Sequence, residues 1–334
     1  MQTVAGIKAA AAVPAVRAVR GRAAVIVSPG QIDLREIEFR EPRAGEVRVR
    51  LEGCGVCASN LPLWEGKPWF AYPIEPGAPG HEAWGRIEAT GAGIDDLAPG
   101  DRVAMLSSHG FAEYDFAPRA QVVRLPESLG QQPFPGEALG CVVNIFRRAL
   151  ITANQTVAVV GVGFLGTLLT QLAARAGANV FAISRRRSSL EMAKEFGAAA
   201  AIESGRALEV VKRLTQGRGC DCVIEAAGTQ QSLDVASELT SEGGRLVIAG
   251  YHQDGPRQVN MQLWNWRGLD VINAHERNPD VYVEGIRGAI LAVETGVMSP
   301  LPLYTHMFTL DELPRAFETL AESPEGFFKG VVVL

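Results

Sequence analysis

The chain has 334 residues, 47% hydrophobic and 21% charged, a composition that suits a globular protein of about two domains and excludes wholesale disorder. Its formal net charge of −5 at pH 7 offers no basic excess for nucleic acid or an anionic membrane surface, so the expected partner is a small molecule, with no nucleic acid and no membrane. Charged residues or glycine interrupt every apolar run before the ~20 residues of a membrane span, and five cysteines without a small-scaffold pattern point to reduced thiols and a cytoplasmic setting.

Residues 1–22 are rich in Ala, Val and Arg, but the apolar run from Ala9 to Val16 is short and carries Pro14, so the stretch reads as an N-terminal extension and not as a signal peptide. From Ala23 onward, short apolar runs (Ala24 to Val27, Val47 to Leu51, Gly85 to Ala89, Arg102 to Leu106) alternate with Gly and Pro turns. That pattern predicts an irregular, mostly β domain. Past Ala149 the texture changes to a strand (Thr156 to Val160), a glycine turn, a helix (Phe164 to Ala176), a strand (Asn179 to Ile183) and a helix (Ser189 to Phe196). The alternation continues with a strand (Cys222 to Ala226), a helix around Ser232 to Leu239 and a strand (Arg245 to Ala249). Strands alternating with helices predict an α/β, doubly wound parallel sheet, here a Rossmann dinucleotide-binding domain over 142–271. Beyond Gly268 the regularity weakens. A helix near Leu313 to Leu320 and a strand over Phe327 to Leu334 end the chain, and 272–334 are expected to rejoin 23–141 as a catalytic domain.

Gly161-Val162-Gly163-Phe164-Leu165-Gly166 follows an apolar strand and opens a helix. Gly161 permits the tight turn, Gly163 lets the backbone approach a pyrophosphate, and Gly166 lets helix and strand pack closely, with the diphosphate at the helix N-terminus. The carboxylate that would bind the adenosine ribose hydroxyls, about 20 residues further on, is replaced by Ser184, followed by Arg185, Arg186 and Arg187. A hydroxyl with guanidinium groups suits a 2′-phosphate, so NADP is favoured over NAD; the alternative is a solvated basic turn.

Cys54 and Cys57 in Gly53-Cys54-Gly55-Val56-Cys57-Ala58-Ser59-Asn60, then Pro79-Gly80-His81-Glu82, then Pro99-Gly100-Asp101-Arg102-Val103, occur in an order that resembles the medium-chain dehydrogenase/reductase superfamily, specifically its zinc-dependent alcohol and polyol dehydrogenase-like members. The resemblance spans Ala23 to Leu334. It implies a GroES-like catalytic domain and one catalytic zinc per chain held by Cys57, His81 and Cys141, with Glu137 as the other residue able to complete the set. Independently of any family, two thiolates and an imidazole leave a tetrahedral position open, which is what a catalytic zinc needs.

The resemblance places Glu82 behind the metal, Ser59 as the first proton acceptor, and Ser107, Ser108 and His109 along the substrate pocket; Trp64, Trp69 and His275 are weaker candidates. Cys54 is expected to be packed, since no second C-x2-C follows it. No four-cysteine structural zinc lobe is present between Met105 and Tyr114, and Asn60 stands where relatives carry an aspartate. Relatives also carry a histidine three residues after the Ser/Thr, where this chain has Pro62. Proline has no titratable group, so the proton must leave through water or another base, with His109 the leading side chain.

The expected activity is hydride transfer between an alcohol, such as a polyol, sugar or amino alcohol, and NAD(P), by a homo-oligomer. The competing readings are a zinc-free NADPH-dependent reductase of the same fold and a non-catalytic dinucleotide-binding module.

Overall fold

The computed structural model of the chain describes residues 18–252 and 254–334. Of the expected N-terminal extension, residues 1–17 lie outside the described residues, while Val19–Arg22 begin a strand. This strand, β1 (Val19–Ser28), pairs antiparallel with β2 (Gln31–Phe39). Arg20 and Arg22, expected to lie in the N-terminal extension, are exposed residues of β1 that alternate with buried Gly21 and Ala23. Arg22 meets Glu113 at 3.2 Å and Asp311 at 3.1 Å.

The β-rich part continues with β3 (Glu46–Val56), the single-turn helix α1 (Leu61–Trp64), β4 (Glu82–Thr90), β5 (Arg102–Met105), β6 (Tyr114–Pro118) and β7 (Val122–Arg124). β3 and β4 are antiparallel, with Cys54 opposite Ala83 and Gly55 opposite Glu82. This register sets the residues just after β3 beside those just before β4, although they are far apart in sequence. Inward residues such as Val47, Val49, Ile87, Val103 and Met105 are buried, and each is worth about 1.5–3 kcal/mol relative to exposure.

Helix α2 (Gly136–Ala149) leads into β8 (Thr156–Val160), α3 (Phe164–Arg175), β9 (Asn179–Ser184), α4 (Arg187–Glu195), β10 (Ala200–Glu203), α5 (Ala207–Leu214), β11 (Cys220–Glu225), α6 (Gln230–Leu239), β12 (Thr240–Ile248), α7 (Met261–Arg267) and β13 (Asp270–Asn273). The parallel strands lie in the order β10-β9-β8-β11-β12-β13, the doubly wound arrangement expected from the alternation. Val157, Ala158 and Val159 on β8 are fully buried because helices cover both faces.

Helix α8 (Pro279–Glu294), β14 (Tyr304–Thr309), α9 (Leu313–Glu322) and β15 (Lys329–Val333) follow. β15 pairs with β3, placing Gly330 opposite Val56, so the C-terminus does rejoin the first sheet. The expected boundaries shift: α2 straddles residue 141, and β13 carries the Rossmann sheet to Asn273.

Helices α2 and α8 were not read from the sequence, because their glycines resemble breakers. Here they serve close packing: a Cβ on Gly140 would stand 2.8 Å from the Ile286 amide nitrogen, and one on Gly285 would stand 2.7 Å from the Gly140 carbonyl oxygen. None of the described helices is long and apolar enough to cross a membrane.

The turn between β8 and α3 depends on two glycines. Gly161 has φ +97°, and a Cβ on Gly166 would lie 2.0 Å from the Gly161 carbonyl oxygen, a backbone atom that cannot swing aside. Gly166→Ala is therefore expected to destabilise the protein by about 2 kcal/mol, lowering the thermal midpoint by several degrees, and to weaken dinucleotide binding. An alanine variant with unchanged melting and unchanged cofactor affinity would show that this turn tolerates a side chain.

Candidate active site

Three strand ends converge on one spot. Cys57 follows β3, His81 immediately precedes β4, and Lys329 opens β15. The ladder pairs Gly55 with Glu82 on one side and with Val331 on the other. A Cβ on Gly55 would come within 1.8 Å of Glu82 Oε2, so only glycine leaves room for that carboxylate.

Ligand atoms of Cys57, His81 and Glu82 lie within 4.8 Å of one another. The His81 ring is oriented by its Nδ1, 3.0 Å from the Pro79 carbonyl, to which it donates. Nε2 is left facing inward, with Ser59 Oγ 3.4 Å away. An imidazole fixed through one nitrogen and presenting the other is the arrangement a metal-ligating histidine requires.

The other two expected ligands come from the first turns of α2. The Cys141 thiol donates to Glu137 Oε1 at 3.2 Å, and it lies outside the compact set formed by Cys57, His81 and Glu82. Burial first, and the Glu137 charge second, push the Cys141 thiol well above its usual range. Burial likewise raises Glu137, with the His81 charge opposing. For His81, burial is the largest single influence and pulls downward. The bond to Cys57 and the charges of Cys57, Glu137 and Glu82 together outweigh it and raise the ring to about 10. The donor set of imidazole, thiols and carboxylates, spanning three chain segments, fits a zinc ion.

Two residues here were not anticipated. Lys329 is buried and its Nζ lies 2.6 Å from Glu82 Oε1 and 2.5 Å from Oε2. Its ammonium also stands 5.2 Å from the Phe164 ring centroid, and so links the Glu82 carboxylate to the glycine turn. Burial works against its charge, but Glu82 and Cys57 hold its pKa above the ordinary value.

Glu325 is the second. It accepts from the backbone N–H of Arg187 at 3.1 Å and of Ser188 at 2.9 Å, and from the Ser188 hydroxyl, satisfying the exposed N-terminus of α4. Local periodicity carries no signal for either contact, because the partners are 247 and about 137 residues apart.

At the cofactor end, Gly161, Gly163, Phe164, Leu165 and Gly166 form the turn and first helical residues as expected. Ser184 ends β9, and its Oγ accepts from the Arg186 N–H at 3.2 Å. Arg185 is exposed. Arg186 differs from expectation: its Nη1 is committed to Ser323 Oγ at 3.0 Å and the Phe327 carbonyl at 2.6 Å, and its Nη2 is 3.8 Å from where a Gly163 Cβ would stand. Nη1 is thus held by the C-terminal turn, while Nη2 lies close to the glycine turn.

His109 is not brought to Ser59. Its Nε2 pairs with Glu75 at 3.0 Å, and Nδ1 lies 3.9 Å from Asp115. Ser107 donates to Asp115 Oδ2 at 2.5 Å, with its Oγ also 3.2 Å from the Gly80 carbonyl oxygen, beside the loop ahead of His81. Trp64 stacks on Phe317 in the core, Trp69 is exposed, and Cys54 is packed as expected. The Asn60 Oδ1 is 3.5 Å from Ser59 Oγ.

Comparison with known proteins gives concordant matches. The family described as zinc-binding dehydrogenase matches residues 165–287, and the alcohol dehydrogenase GroES-like domain matches residues 43–127. Galactitol 1-phosphate 5-dehydrogenase of Escherichia coli K12 is 31% identical over 242 residues, covering 63% of this chain and 69% of that protein. Chicken sorbitol dehydrogenase is 27% identical over 338 residues, covering 89% of this chain and 92% of the enzyme. A structure from Sinorhizobium meliloti 1021, assigned to the zinc-binding dehydrogenases and bound to NADP, is 28% identical with a TM-score of 0.82, covering 95% of this chain and all of that one.

The charge state of His81 sets how metal binding responds to pH. A ring whose pKa stands at about 10 is protonated at pH 7 and must lose its proton to become a ligand. Zinc affinity of protein stripped with a chelator is expected to rise with pH through neutrality, about tenfold per pH unit for each proton released. Calorimetry in buffers of different ionisation enthalpy should register that proton release. Zinc binding that releases no protons and does not vary between pH 6 and 8 would contradict this account of the site.

Proposed function

This chain belongs to the zinc-type medium-chain dehydrogenase/reductase superfamily, and on that premise we propose that it interconverts a polyol or related polar alcohol with its carbonyl compound, using NADP(H) and a single catalytic zinc. It is an NAD(P)-dependent oxidoreductase of the alcohol dehydrogenase type. The observation that carries the zinc assignment is the convergence of Cys57 and His81, with His81 Nδ1 tied to Pro79 and Nε2 turned inward.

Cys57 and His81 hold the ion, completed from α2 by Cys141 or Glu137, with Glu82 behind them restrained by Lys329. When bound, the zinc ion supplies Lewis acidity that eases loss of the substrate hydroxyl proton, and the nicotinamide supplies the hydride acceptor or donor. Ser59, beside His81 Nε2, is placed to take a hydrogen bond from the substrate hydroxyl and pass its proton on. Pro62 offers no base, and His109 is engaged with Glu75 away from this hydroxyl, so we assign the next carrier to water.

At the adenosine end we assign Ser184 and exposed Arg185 to a 2′-phosphate, with Arg186 anchored through Nη1 to the C-terminal turn beside them.

Two measurements test this reading. Purified protein should carry one zinc per chain by elemental analysis, and Cys57→Ala should lose the metal and at least about a hundredfold in turnover on a polyol panel. Full turnover by a zinc-depleted Cys57→Ala protein would eliminate the zinc assignment. The wild-type kcat/KM should favour NADP(H), and Ser184→Asp with Arg185→Ala should move the preference at least about tenfold toward NAD(H). A wild-type enzyme that already works better with NAD(H) would refute the cofactor assignment.

A further inference from the structure

The adenosine end of the molecule is not built from the Rossmann domain alone. The turn 323–328, which leads from α9 into β15, lies against the N-terminus of α4. Phe327 and Phe328 bury their side chains, and Arg186 Nη1 stands 3.0 Å from Ser323 Oγ, 3.3 Å from the Pro324 carbonyl and 2.6 Å from that of Phe327. Ser188 on α4 adds a further tie, since its Oγ accepts from the Gly326 N–H at 2.9 Å. A turn held at so many points fixes where the Glu325 carboxylate stands: on the backbone N–H groups of Arg187 and Ser188, at 3.1 and 2.9 Å.

The N–H of the preceding residue, Arg186, is taken by Ser184 Oγ at 3.2 Å. The Ser184 hydroxyl and the Glu325 carboxylate therefore sit on consecutive backbone N–H groups. A charge brought to Ser184 stands within a Debye length of that carboxylate, ~8–10 Å at ordinary ionic strength.

The cations of this turn are unequally engaged. Arg187 is turned to Glu191 at 2.8 Å. Arg186 is held in the 323–328 turn, where its charge faces that of Glu325 on one side and of Arg185 on the other. Arg185 is exposed and, among the described residues, has neither a hydrogen-bond nor an ion-pair partner. Glu325 is exposed as well, and the Ser188 hydroxyl, followed by the Ser188 N–H, holds its carboxyl below the usual range, so it carries a full charge at neutral pH.

We propose that Glu325 is a cofactor-specificity residue lent by the catalytic domain: its carboxylate holds the α4 donors and opposes a 2′-phosphate at Ser184 and Arg185, restraining the preference for NADP(H) over NAD(H). A phosphate monoester brings nearly two negative charges to this turn, whereas the ribose hydroxyl of NAD(H) brings none. The two dinucleotides differ only there, so the carboxylate acts on their ratio. Its removal frees the N–H groups of Arg187 and Ser188 to face an anion and leaves the Arg186 charge unopposed. The inference rests on the dinucleotide-dependent reading above and adds to Ser184 and Arg185 a residue of opposite sign from outside the Rossmann domain.

The experiment titrates the zinc-loaded enzyme with NADPH and with NADH and follows the ratio of the two Kd values. Glu325→Gln keeps the size of the side chain and an acceptor oxygen, and Glu325→Lys reverses the charge. The ratio is expected to move toward NADPH by at least about threefold in Glu325→Gln and further in Glu325→Lys, while Glu325→Asp, which keeps the charge, stays near the wild type. The gain should shrink as salt is raised from about 0.05 to 0.5 M, because the charges are exposed. Equal weakening of both dinucleotides would reduce Glu325 to a helix cap and overturn the inference. An unchanged ratio, a shift toward NADH, or a gain that salt does not diminish would overturn it too. A wild type that binds NADH more tightly would refute the NADP(H) assignment, yet the change produced by Glu325→Gln would still decide the role of Glu325. If neither dinucleotide binds, both readings fall.

Discussion

The register of β3 between β4 and β15 decides where each metal-side residue stands. Gly55 faces Glu82 on one ladder and Val331 on the other, so residues just beyond β3, just before β4 and at the start of β15 share one end of the sheet. A slip of one residue would turn each of these side chains to the opposite face. The glycine is part of the constraint, because the Glu82 carboxylate occupies the space a Cβ would need. Sheet pairing thereby does what no local motif does: it gathers Cys57, His81, Glu82 and Lys329 from segments distant in sequence.

The ion pair between Lys329 and Glu82 gives that end of the sheet its electrostatic character. Burying two opposite charges costs several kcal/mol per ion in desolvation, and their close contact offsets this only if both remain paired. The pair sets Glu82 behind the ligand group, where its charge adds to those of Cys57 and Glu137 in raising the proton affinity of His81, and presents the Lys329 amine toward Phe164 at the glycine turn. The same C-terminal segment reaches the cofactor domain at a second point, where Ser323 and Phe327 receive Arg186 and Glu325 covers the N-terminus of α4. Metal side and dinucleotide side are thus tied by two sets of contacts from one short stretch before and at the start of β15.

The parts legible in sequence were those with short-range signals. Strand β8, the glycine turn and the start of α3 follow from an apolar run, three glycines and helical periodicity within 20 residues of one another. Cys57 and His81 were singled out through the motif order that resembles the family's, and the structure brings the two side chains together. Helices α2 and α8 were not, since Gly140 and Gly285 resemble breakers until each is seen against the other's backbone. Arg186 was legible as a cation but not in its direction, because its acceptors lie some 140 residues away on another domain. Lys329 and Glu325 were invisible for the same reason: a buried ion pair and a borrowed helix cap are properties of tertiary contact alone.

Pro62 shows how a local structural requirement reshapes the chemistry nearby. It sits in the first turn of α1, where its fixed φ suits the helix and where a missing N–H removes a donor that would have had no intrahelical partner. It is also buried beside Leu63 and Trp64, with Trp64 stacked on Phe317. The position that could have held a terminal base is thus given to packing and helix initiation. Ser59, one turn earlier, stays partly exposed next to His81, and it retains both a hydroxyl to receive a proton and access to solvent to release it. In the relay proposed for Ser59, an end in water instead of a side chain would leave no titrating terminus, and the ionisations that govern proton loss would fall to the substrate and to the ligand group gathered by β3, β4 and β15.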